Sequence, residues 1–174
     1  MVQTGSPPPR LDSLVVLVVD ATTGVGRELT TRLCAAGATV AVVGAGHPDR
    51  GDDAATNAAF LCKALVDAGF VALPYRIGVR DPAEAGRLPG EIDTDVGPVS
   101  AAVVVLPEPD AGGELLRAFR AVSAALAAAL PAGARHIERA PAGTAGPATT
   151  AEDRAWVRSV VDRLAADAAR ATSR

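Results

Sequence analysis

The residues best placed to do chemistry lie in VVDATTGVGREL, residues 18–29, where a buried-type apolar run meets a turn with two glycines. In such a strand–turn–helix unit, the glycines allow backbone N–H groups at the helix start to face a phosphate. Gly24 and Gly26 suit that task, but Asp20 stands where the turn should begin with glycine. We predict that the Asp20 carboxylate accepts hydrogen bonds from the turn and caps the helix, with a general base or metal ligand as the alternative.

A carboxylate at this position would also repel a pyrophosphate. Two unit charges about 4 Å apart cost about 4 kcal/mol at an effective dielectric constant near 20, which solvent exposure lowers to roughly 1–3 kcal/mol. That cost corresponds to about one to two orders of magnitude in affinity. We therefore expect no cofactor, because binding of NAD or NADP should be weak or absent.

Two other polar groups could do chemistry. The loop HPDRGDD carries Asp49, Asp52 and Asp53, which suggest either a metal or phosphate loop or a solvated loop that caps the next helix. We favour the solvated loop, with Asp52 or Asp53 as the N-cap. His136 could act as a base beside Glu138, but an ordinary strand histidine fits the same pattern.

The cysteines and histidines form no metal-binding pattern. Cys34 and Cys62 lie in helical contexts without C-x-x-C spacing, and the two histidines are His47 and His136. Metal sites of the common kinds need closely spaced ligands of these types. We therefore predict buried, inert thiols and no metal.

The positioning elements alternate between strands and helices. Five apolar or alternating stretches predict strands at 14–19, 39–43, 70–76 (ending near Pro74), 101–106 and 134–138, and helical patterns predict helices at 24–36, 54–68, 112–130 and 151–171. A short helical turn opened by Asp81 and Pro82 is followed by a polar linker to Pro98. This order predicts a single doubly wound α/β domain over 13–171, with a parallel sheet of about five strands, right-handed crossovers and helices on both faces. Residues 1–12 read as a flexible Pro-rich tail.

The composition narrows the range of partners. The chain has 174 residues, 49% of them apolar but only 3% aromatic, so its core must consist mainly of Val, Leu and Ala. The net charge of −3 argues against nucleic acid and anionic membrane surfaces as partners. No apolar run approaches the roughly 20 residues that span a bilayer, and the N-terminus has no signal-peptide pattern, which predicts a cytoplasmic protein.

The order and lengths of these elements resemble the short-chain dehydrogenase/reductase family over residues 13–170. The first turn is similar to its Thr-Gly-x-x-x-Gly-x-Gly turn, with Gly24 and Gly26 at the second and third glycines. Residues 44–88 resemble the branch that acts on hydroxyacyl-CoA thioesters, and DVGPVSAAVVVL resembles the lead into the fourth strand. LRAFRAVSAALAAALPAGARHI resembles the long helix and fifth strand that follow.

The polar contacts that the resemblance implies for a dinucleotide are missing. Asp20 replaces the first glycine, the acidic ribose-binding residue falls on or near Gly44, and the aspartate that touches adenine falls on Gly78. Residues 104–107, VVLP, replace the family's Asn-Asn-Ala-Gly. Only the two later glycines of the turn remain.

The catalytic pair that the resemblance implies is missing too. The family uses a tyrosine as proton donor and a lysine four residues later, but this chain has one tyrosine, Tyr75, and one lysine, Lys63, in the wrong order. Aligning TAEDRAWV with the usual YAAAKAAV places Thr150 at the tyrosine and Arg154 at the lysine. We therefore predict no catalytic residues, since losing one positioned acid or base alone removes a factor of about 10² to 10⁴.

Two further departures point the same way. The family's serine falls around Arg139 or Ala140, and the sequence ends where the family continues into two more strands. In the family, the helices that correspond to 112–130 and 151–171 pair across a two-fold axis into a four-helix bundle. This predicts an interface formed by Phe119, Leu126, Trp156, Val160 and Leu164, unless these faces only cover the sheet.

The sequence therefore favours a catalytically inactive short-chain dehydrogenase-like protein with a structural role. It would be a partner subunit of an acyl-CoA type dehydrogenase or a homodimeric scaffold. One alternative is an NAD(P)-dependent oxidoreductase that uses arginines such as Arg50 for NADP. Another is an enzyme with non-redox chemistry in the cleft near Thr22, Thr23, His136 and Glu138.

Overall fold

The structure, a computed structural model, describes residues 10–22, 24–46, 54–108, 112–140 and 149–172. Within these residues, strands and helices alternate along the chain. The elements are β1 (Val15–Val19), α1 (Gly24–Ala35), β2 (Thr39–Gly46), α2 (Ala54–Asp67), β3 (Ala72–Gly78), α3 (Pro82–Val96), β4 (Ala101–Val105), α4 (Glu114–Ala129), β5 (Arg135–Arg139) and α5 (Ala151–Thr172).

The five strands form one parallel sheet in the order β3-β2-β1-β4-β5. The central strand β1 is buried along its whole length, as a parallel strand covered on both faces must be. The predicted doubly wound α/β fold is therefore confirmed. Its strand order reverses between β1 and β4, and open α/β sheets bind ligands at the carboxyl ends of the strands beside such a reversal.

Successive side chains of each strand point to opposite faces of the sheet, which divides the core into two layers. Val16 and Val18 of β1 face α1, α2 and α5, whereas Leu17 and Val19 face α3 and α4. Both layers consist mainly of Val, Leu, Ile and Ala, as the low aromatic content predicts. As a consequence, α4 and α5 lie on opposite faces of the sheet.

Residues 82–96 form a full helix, where the sequence predicts only a short helical turn and a polar linker. Asp81 caps it by accepting a hydrogen bond from the Ala83 N–H at 3.0 Å, and Pro82 occupies the first turn, where no N–H is needed. Ala85, Leu88 and Ile92 form one buried stripe. This burial outweighs the helix-breaking tendency of the proline and glycine residues in the segment, which the sequence prediction followed.

Two predicted boundaries differ from those in the structure: the start of the domain and the end of β3. Leu11 is fully buried, and its N–H donates to the carbonyl of Ala36 at 2.7 Å, so residues 10–12 belong to the domain rather than to the predicted tail over 1–12. Strand β3 continues past Pro74 to Gly78. No helix in the described ranges combines the length and apolarity needed to cross a membrane.

Candidate functional site

The turn from β1 to α1 keeps the close backbone approach expected of a dinucleotide-binding turn. At Gly26, a Cβ atom would overlap the carbonyl oxygen of Asp20, and it would lie 3.0 Å from the carbonyl carbon of Asp20 and 3.2 Å from Cα of Ala21. Only glycine allows the helix to pack this closely on the preceding strand. This close approach between α1 and the end of β1 is therefore present although Asp20 stands where the resemblance implies a glycine.

Asp20 adopts a backbone conformation that glycine reaches more readily than other residues. Its φ angle is 59°, in the left-handed region, and only 8% of the residue is exposed. Aspartate tolerates this region better than most residues, which explains why the turn accepts it. Gly24, the first residue of α1, also has a positive φ, of 50°. The capping role expected of the Asp20 carboxylate stays a prediction.

Among the described residues, β2 and β3 carry glycines at the two positions where the resemblance implies acidic side chains. Gly44 lies inside β2 and pairs with Arg76 of β3. The N–H of Gly78, at the end of β3, donates to Oε2 of Glu84 at 2.7 Å. Glu84 of α3, which the sequence interpretation overlooked, thus places its carboxylate against the backbone of Gly78, the position at which the resemblance implies an aspartate.

The end of β4 is closed by apolar residues. Val104, Val105, Leu106 and Pro107 are all buried. The Leu106 N–H donates to the carbonyl of Arg139 at 3.1 Å, which extends the pairing of β4 with β5. This side of the strand-order reversal therefore offers no side-chain donor or acceptor from residues 104–107.

The start of α5 is fixed by a reciprocal capping box. Thr150 Oγ1 accepts from the Asp153 N–H at 3.1 Å, while Asp153 Oδ2 accepts from the Thr150 N–H at 2.9 Å and from Thr150 Oγ1 at 2.7 Å. These bonds satisfy N–H groups that a helix start otherwise leaves unpaired. The spacing Thr-x-x-Asp before a helix is a sequence signal of this motif that our sequence interpretation missed.

Arg139 ties this cap to the end of β5. Its Nη2 lies 3.1 Å from Asp153 Oδ1 and 3.4 Å from Glu152 Oε1, and its guanidinium carbon lies 5.4 Å from the centre of the Trp156 ring. Burial alone would raise the pKa of Asp153, but the hydrogen bonds from Thr150 and Arg139 outweigh it and hold this pKa below its usual value. The carboxylate therefore stays charged at neutral pH and anchors α5.

Arg154 also serves the start of the helix. Its Nη1 donates to the carbonyl of Thr149 at 2.8 Å, so the side chain folds back toward the residues that precede α5. The positions at which the alignment places the family's tyrosine and lysine, Thr150 and Arg154, thus hold structural contacts. Because α5 packs beside α1, these contacts also lie across the sheet from α4.

Ser123, His136 and Glu138 form one polar cluster. Ser123 of α4 is fully buried; its hydroxyl contacts His136 Nε2 at 2.9 Å and donates to Glu138 Oε1. The hydroxyl has a single proton, so Nε2 of His136 must be the donor toward Ser123. In a nucleophilic triad the histidine lies between serine and acid, whereas here the buried serine lies between the other two.

This cluster joins α4 to β5 and does not form a nucleophile. The sequence identified His136 and Glu138 but missed Ser123, whose only signal is its position on the same helical face as Phe119 and Val122. Thr22 is half-buried near the first turn, and Thr23 lies outside the described residues.

The predicted interface residues lie mostly inside the chain. Phe119 and Leu126 of α4 and Val160 and Leu164 of α5 are at most 2% exposed, packed on the sheet, and only Trp156 is half-buried. The two helices of a four-helix bundle must lie side by side on one face of each subunit, whereas α4 and α5 lie on opposite faces. The structure therefore corrects the residue assignment of this interface, and these faces cover the sheet instead.

Other predicted candidates fall in the loop between β2 and α2. Asp49, Arg50, Asp52 and Asp53 lie outside the described residues, as does His47. In the rest of the chain, no three His, Cys, Asp or Glu side chains are grouped closely enough to hold a metal ion.

We expect both cysteines to be unreactive in the native protein. Burial raises the pKa of Cys34 to about 12, with a further contribution from nearby Cys62, and burial raises the pKa of Cys62 to about 11. Since the thiolate is the reactive form, a thiol-specific reagent at pH 8 should label neither residue until the chain is unfolded. Rapid labelling of one thiol in the native state would contradict this prediction.

Comparisons with known proteins agree with this geometry at the level of the fold. No family model matches the chain, and no curated protein matches it. Among solved structures, a short-chain dehydrogenase/reductase from Serratia marcescens is 20% identical, with a TM-score of 0.60 over 91% of this chain and 67% of that one. A short-chain type dehydrogenase/reductase from Mycobacterium marinum is also 20% identical, with a TM-score of 0.57 over 70% of this chain and 52% of that one.

The fold is the Rossmann-like fold of short-chain dehydrogenases/reductases. A dehydrogenase/reductase from Sinorhizobium meliloti, 20% identical, gives a TM-score of 0.60 over 75% of this chain. The chain spans 52% and 55% of the Mycobacterium and Sinorhizobium proteins, so about half of each has no counterpart in it. At these identities the likeness to short-chain dehydrogenases/reductases concerns the fold alone.

Proposed function

We propose that this chain is a catalytically inactive short-chain dehydrogenase-like protein that acts as a structural subunit. The observation that carries the proposal is the start of α5, where Thr150, Asp153 and Arg139 bind one another. The single hydroxyl proton of Thr150 is donated to Asp153, so this residue, at the position where the resemblance implies the catalytic tyrosine, has no proton left to donate to a substrate carbonyl.

The tyrosine and lysine of the chain support the same conclusion. Tyr75 of β3 donates to Asp95 Oδ2 at 2.7 Å, and burial together with this bond raises the pKa of its phenol above 10. A catalytic phenol needs the opposite shift to act near neutrality. Lys63 lies on α2, across the sheet from the Tyr75 side chain, and pairs with Asp67 at 2.6 Å.

The structural role has two versions. In one, the chain associates with an intact dehydrogenase; the resemblance of residues 44–88 to the hydroxyacyl-CoA branch makes an acyl-thioester dehydrogenase the partner class. In the other, two copies form a cytoplasmic homodimer. Because the edge strand β5 carries His136 and Glu138, and each of these residues can face the other in a second copy, we favour the homodimer.

A hydride-transfer assay tests the lack of catalysis. The purified chain is mixed with NADH or NADPH and a panel of ketones and 3-oxoacyl thioesters, and the absorbance of the reduced coenzyme is followed beside an active short-chain dehydrogenase. We expect the rate to equal that of the buffer blank. Coenzyme oxidation that scales with the concentration of this chain would contradict the proposal.

The close packing of α1 on the end of β1 favours a second candidate function. This function is dinucleotide binding, either with or without redox chemistry. The close approach of Gly26 to Asp20 is the helix–strand packing used by dinucleotide-binding turns, and Gly24 leaves open space at the start of α1, where a pyrophosphate would lie. In this version the chain is an NAD(P)-dependent oxidoreductase or a nucleotide sensor whose affinity is limited by the charge of Asp20.

Substitution of Asp20 separates the two candidates. We expect Asp20→Asn and Asp20→Gly to tighten binding of NAD by about 10- to 100-fold, because both remove the charge. Asparagine tolerates a positive φ, so Asp20→Asn changes the charge with little effect on the backbone. Isothermal titration with NAD measures the change; micromolar binding by the unsubstituted chain would favour the dinucleotide-binding candidate.

A further inference from the structure

The two edges of the sheet differ in their ability to pair with another strand. At the β3 edge, the Val40 N–H donates to the carbonyl of Val71 at 3.1 Å, so the backbone of residue 71 faces β2. Backbone groups alternate along a strand, so those of Ala72, Pro74 and Arg76 face outward. Pro74 has no N–H to donate, which interrupts this edge as a template for a further strand.

The β5 edge carries no such block. The Arg135 N–H donates to the carbonyl of Ser100 at 3.0 Å, and the Arg139 carbonyl accepts from the Leu106 N–H at 3.1 Å. The backbone groups of both arginines therefore face β4. The N–H and C=O groups of His136 and Glu138 therefore face outward. In the described part of the chain, no strand pairs with this side of β5.

We propose that β5 pairs with β5 of a second copy of this chain, antiparallel, about a two-fold axis at Ile137. In that register His136 lies opposite Glu138 of the partner subunit, and Glu138 lies opposite His136 of the partner subunit. Both pairs have their backbone groups directed at each other, which gives four N–H···O=C bonds across the axis.

Charges on the two faces of β5 fit this register. On the α4 face, the imidazole of His136 lies opposite the carboxylate of Glu138 of the partner subunit, and the reverse pair lies on the other side of the axis. On the α5 face, Arg135 lies opposite Arg139 of the partner subunit, but each arginine is already neutralised within its own chain. Arg135 pairs with Asp167 at 2.9 Å, and Arg139 pairs with Asp153 at 3.1 Å.

Ser123 prepares the strand for pairing. It holds both His136 and Glu138 on the α4 face, so little side-chain entropy remains to be lost on association. One turn further along α4, on the same side as Ser123, lies the exposed Ala127, whose small side chain leaves room for the α4 helix of a second copy.

This inference names the surface behind the proposed structural role and rests on it. The first test is the mass of the full chain in solution by light scattering, with unfolding monitored in parallel. We expect a species of twice the 17.5 kDa chain mass. Glu138→Pro removes an outward N–H and should weaken the dimer at least tenfold, whereas Arg76→Pro, the same change at the β3 edge, should leave it intact.

A second control addresses the contact between Ser123 and Glu138, which Glu138→Pro also removes. Ser123→Ala removes that contact but leaves the backbone edge unchanged, so this variant should still dimerise. A dimer that persists in folded Glu138→Pro, or a wild-type chain that stays monomeric at 100 μM, which is about a hundredfold above a micromolar Kd, would overturn the inference.

Disulfide trapping tests the register without relying on proline. Residues opposite each other in a hydrogen-bonded antiparallel pair have Cα atoms about 5.5 Å apart, which a disulfide can bridge. A mixture of His136→Cys and Glu138→Cys chains should therefore cross-link on oxidation, whereas either variant alone should not. Equal cross-linking in the separate variants and in the mixture would exclude this register.

The same set of measurements separates this inference from the lack of catalysis. A monomer without hydride transfer would overturn the β5 interface and the homodimer version of the structural role, and would leave the proposed inactivity standing. A dimer that oxidises NADH or NADPH in the presence of a carbonyl substrate would overturn only the proposed inactivity.

Discussion

Replacing Gly26 with alanine is expected to lower the free energy of unfolding by about 3 kcal/mol or more. The added Cβ would overlap the Asp20 carbonyl and approach Cα of Ala21 to 3.2 Å, and both obstacles belong to the backbone. Neither can rotate away, so the start of α1 must move off β1. Overpacking of a tight site typically costs 1–3 kcal/mol, and more where the neighbours cannot shift, hence about 3 kcal/mol here.

Thermal unfolding followed by circular dichroism measures this effect. A loss of about 3 kcal/mol should lower Tm by roughly 6–12 °C in a domain of this size. Gly90→Ala is the matched control, since Gly90 is exposed in α3 and, apart from its own helix backbone, no atom lies within 4 Å of its added Cβ. That change should be neutral or stabilising by up to about 1 kcal/mol. Equal Tm values for the two variants would show that the turn is not tightly packed.

Replacing Asp153 with alanine is expected to cost about 2–4 kcal/mol. The substitution removes one half of the capping box, which is typically worth about 1 kcal/mol. It also removes the nearer carboxylate partner of Arg139, whose side chain is only 13% exposed. Breaking a buried pair costs about 3–5 kcal/mol, and we place the sum lower because Glu152 remains 3.4 Å from the guanidinium.

The chain contains one tryptophan, Trp156, which makes this prediction easy to follow. Its ring lies against Arg139, so its fluorescence should report release of the start of α5 during chemical denaturation. Glu152→Ala is the control: this carboxylate is 78% exposed, and its loss should cost less than about 0.5 kcal/mol. A comparable loss in both variants would show that the capping box contributes little.

The Asp153 effect should depend on pH with a defined sign. The pKa of Asp153 is lower in the folded chain than in the unfolded chain, so its stabilisation is complete above the unfolded value of about 3.9. It is lost as the pH falls through the folded pKa. The difference in stability between wild type and Asp153→Ala should therefore be constant above about pH 5 and shrink at more acidic pH. A difference that grows on acidification would contradict this assignment.

The fold could be predicted from the sequence because its apolar periods are strong and local. The short, mainly β-branched run at 14–19 predicts a buried strand. Gly37 and Gly69 end their helices with positive φ angles, as predicted for C-terminal glycines. The helix over 82–96 could not be predicted, since its local proline and glycine content argues against it. Its stability comes from burial of Leu88 and Ile92 against strands that are distant in the sequence.

The candidate site was harder to predict than the fold. The lack of a Tyr-x-x-x-Lys sequence is visible in the sequence, but the position of α5 depends on which face of the sheet the chain reaches after β5. Alignment placed Thr150 and Arg154 at the family's tyrosine and lysine. Tertiary packing instead places α5 beside α1, with Thr150 and Asp153 as the capping box at its start. The Ser123 contacts could not be predicted either, because they join residues on two different elements.

The proline in β3 has a consequence for what an assembly of this chain can become. A sheet with two receptive edges can add molecules at both ends and grow into a fibre, whereas a sheet with one receptive edge stops after a single addition. In the described residues, Pro74 leaves only the β5 edge able to pair with a further strand. When two copies pair through β5, that edge is used up in both, so the assembly stops at two chains. Replacing Pro74 with a residue that has a backbone N–H would remove this limit on size.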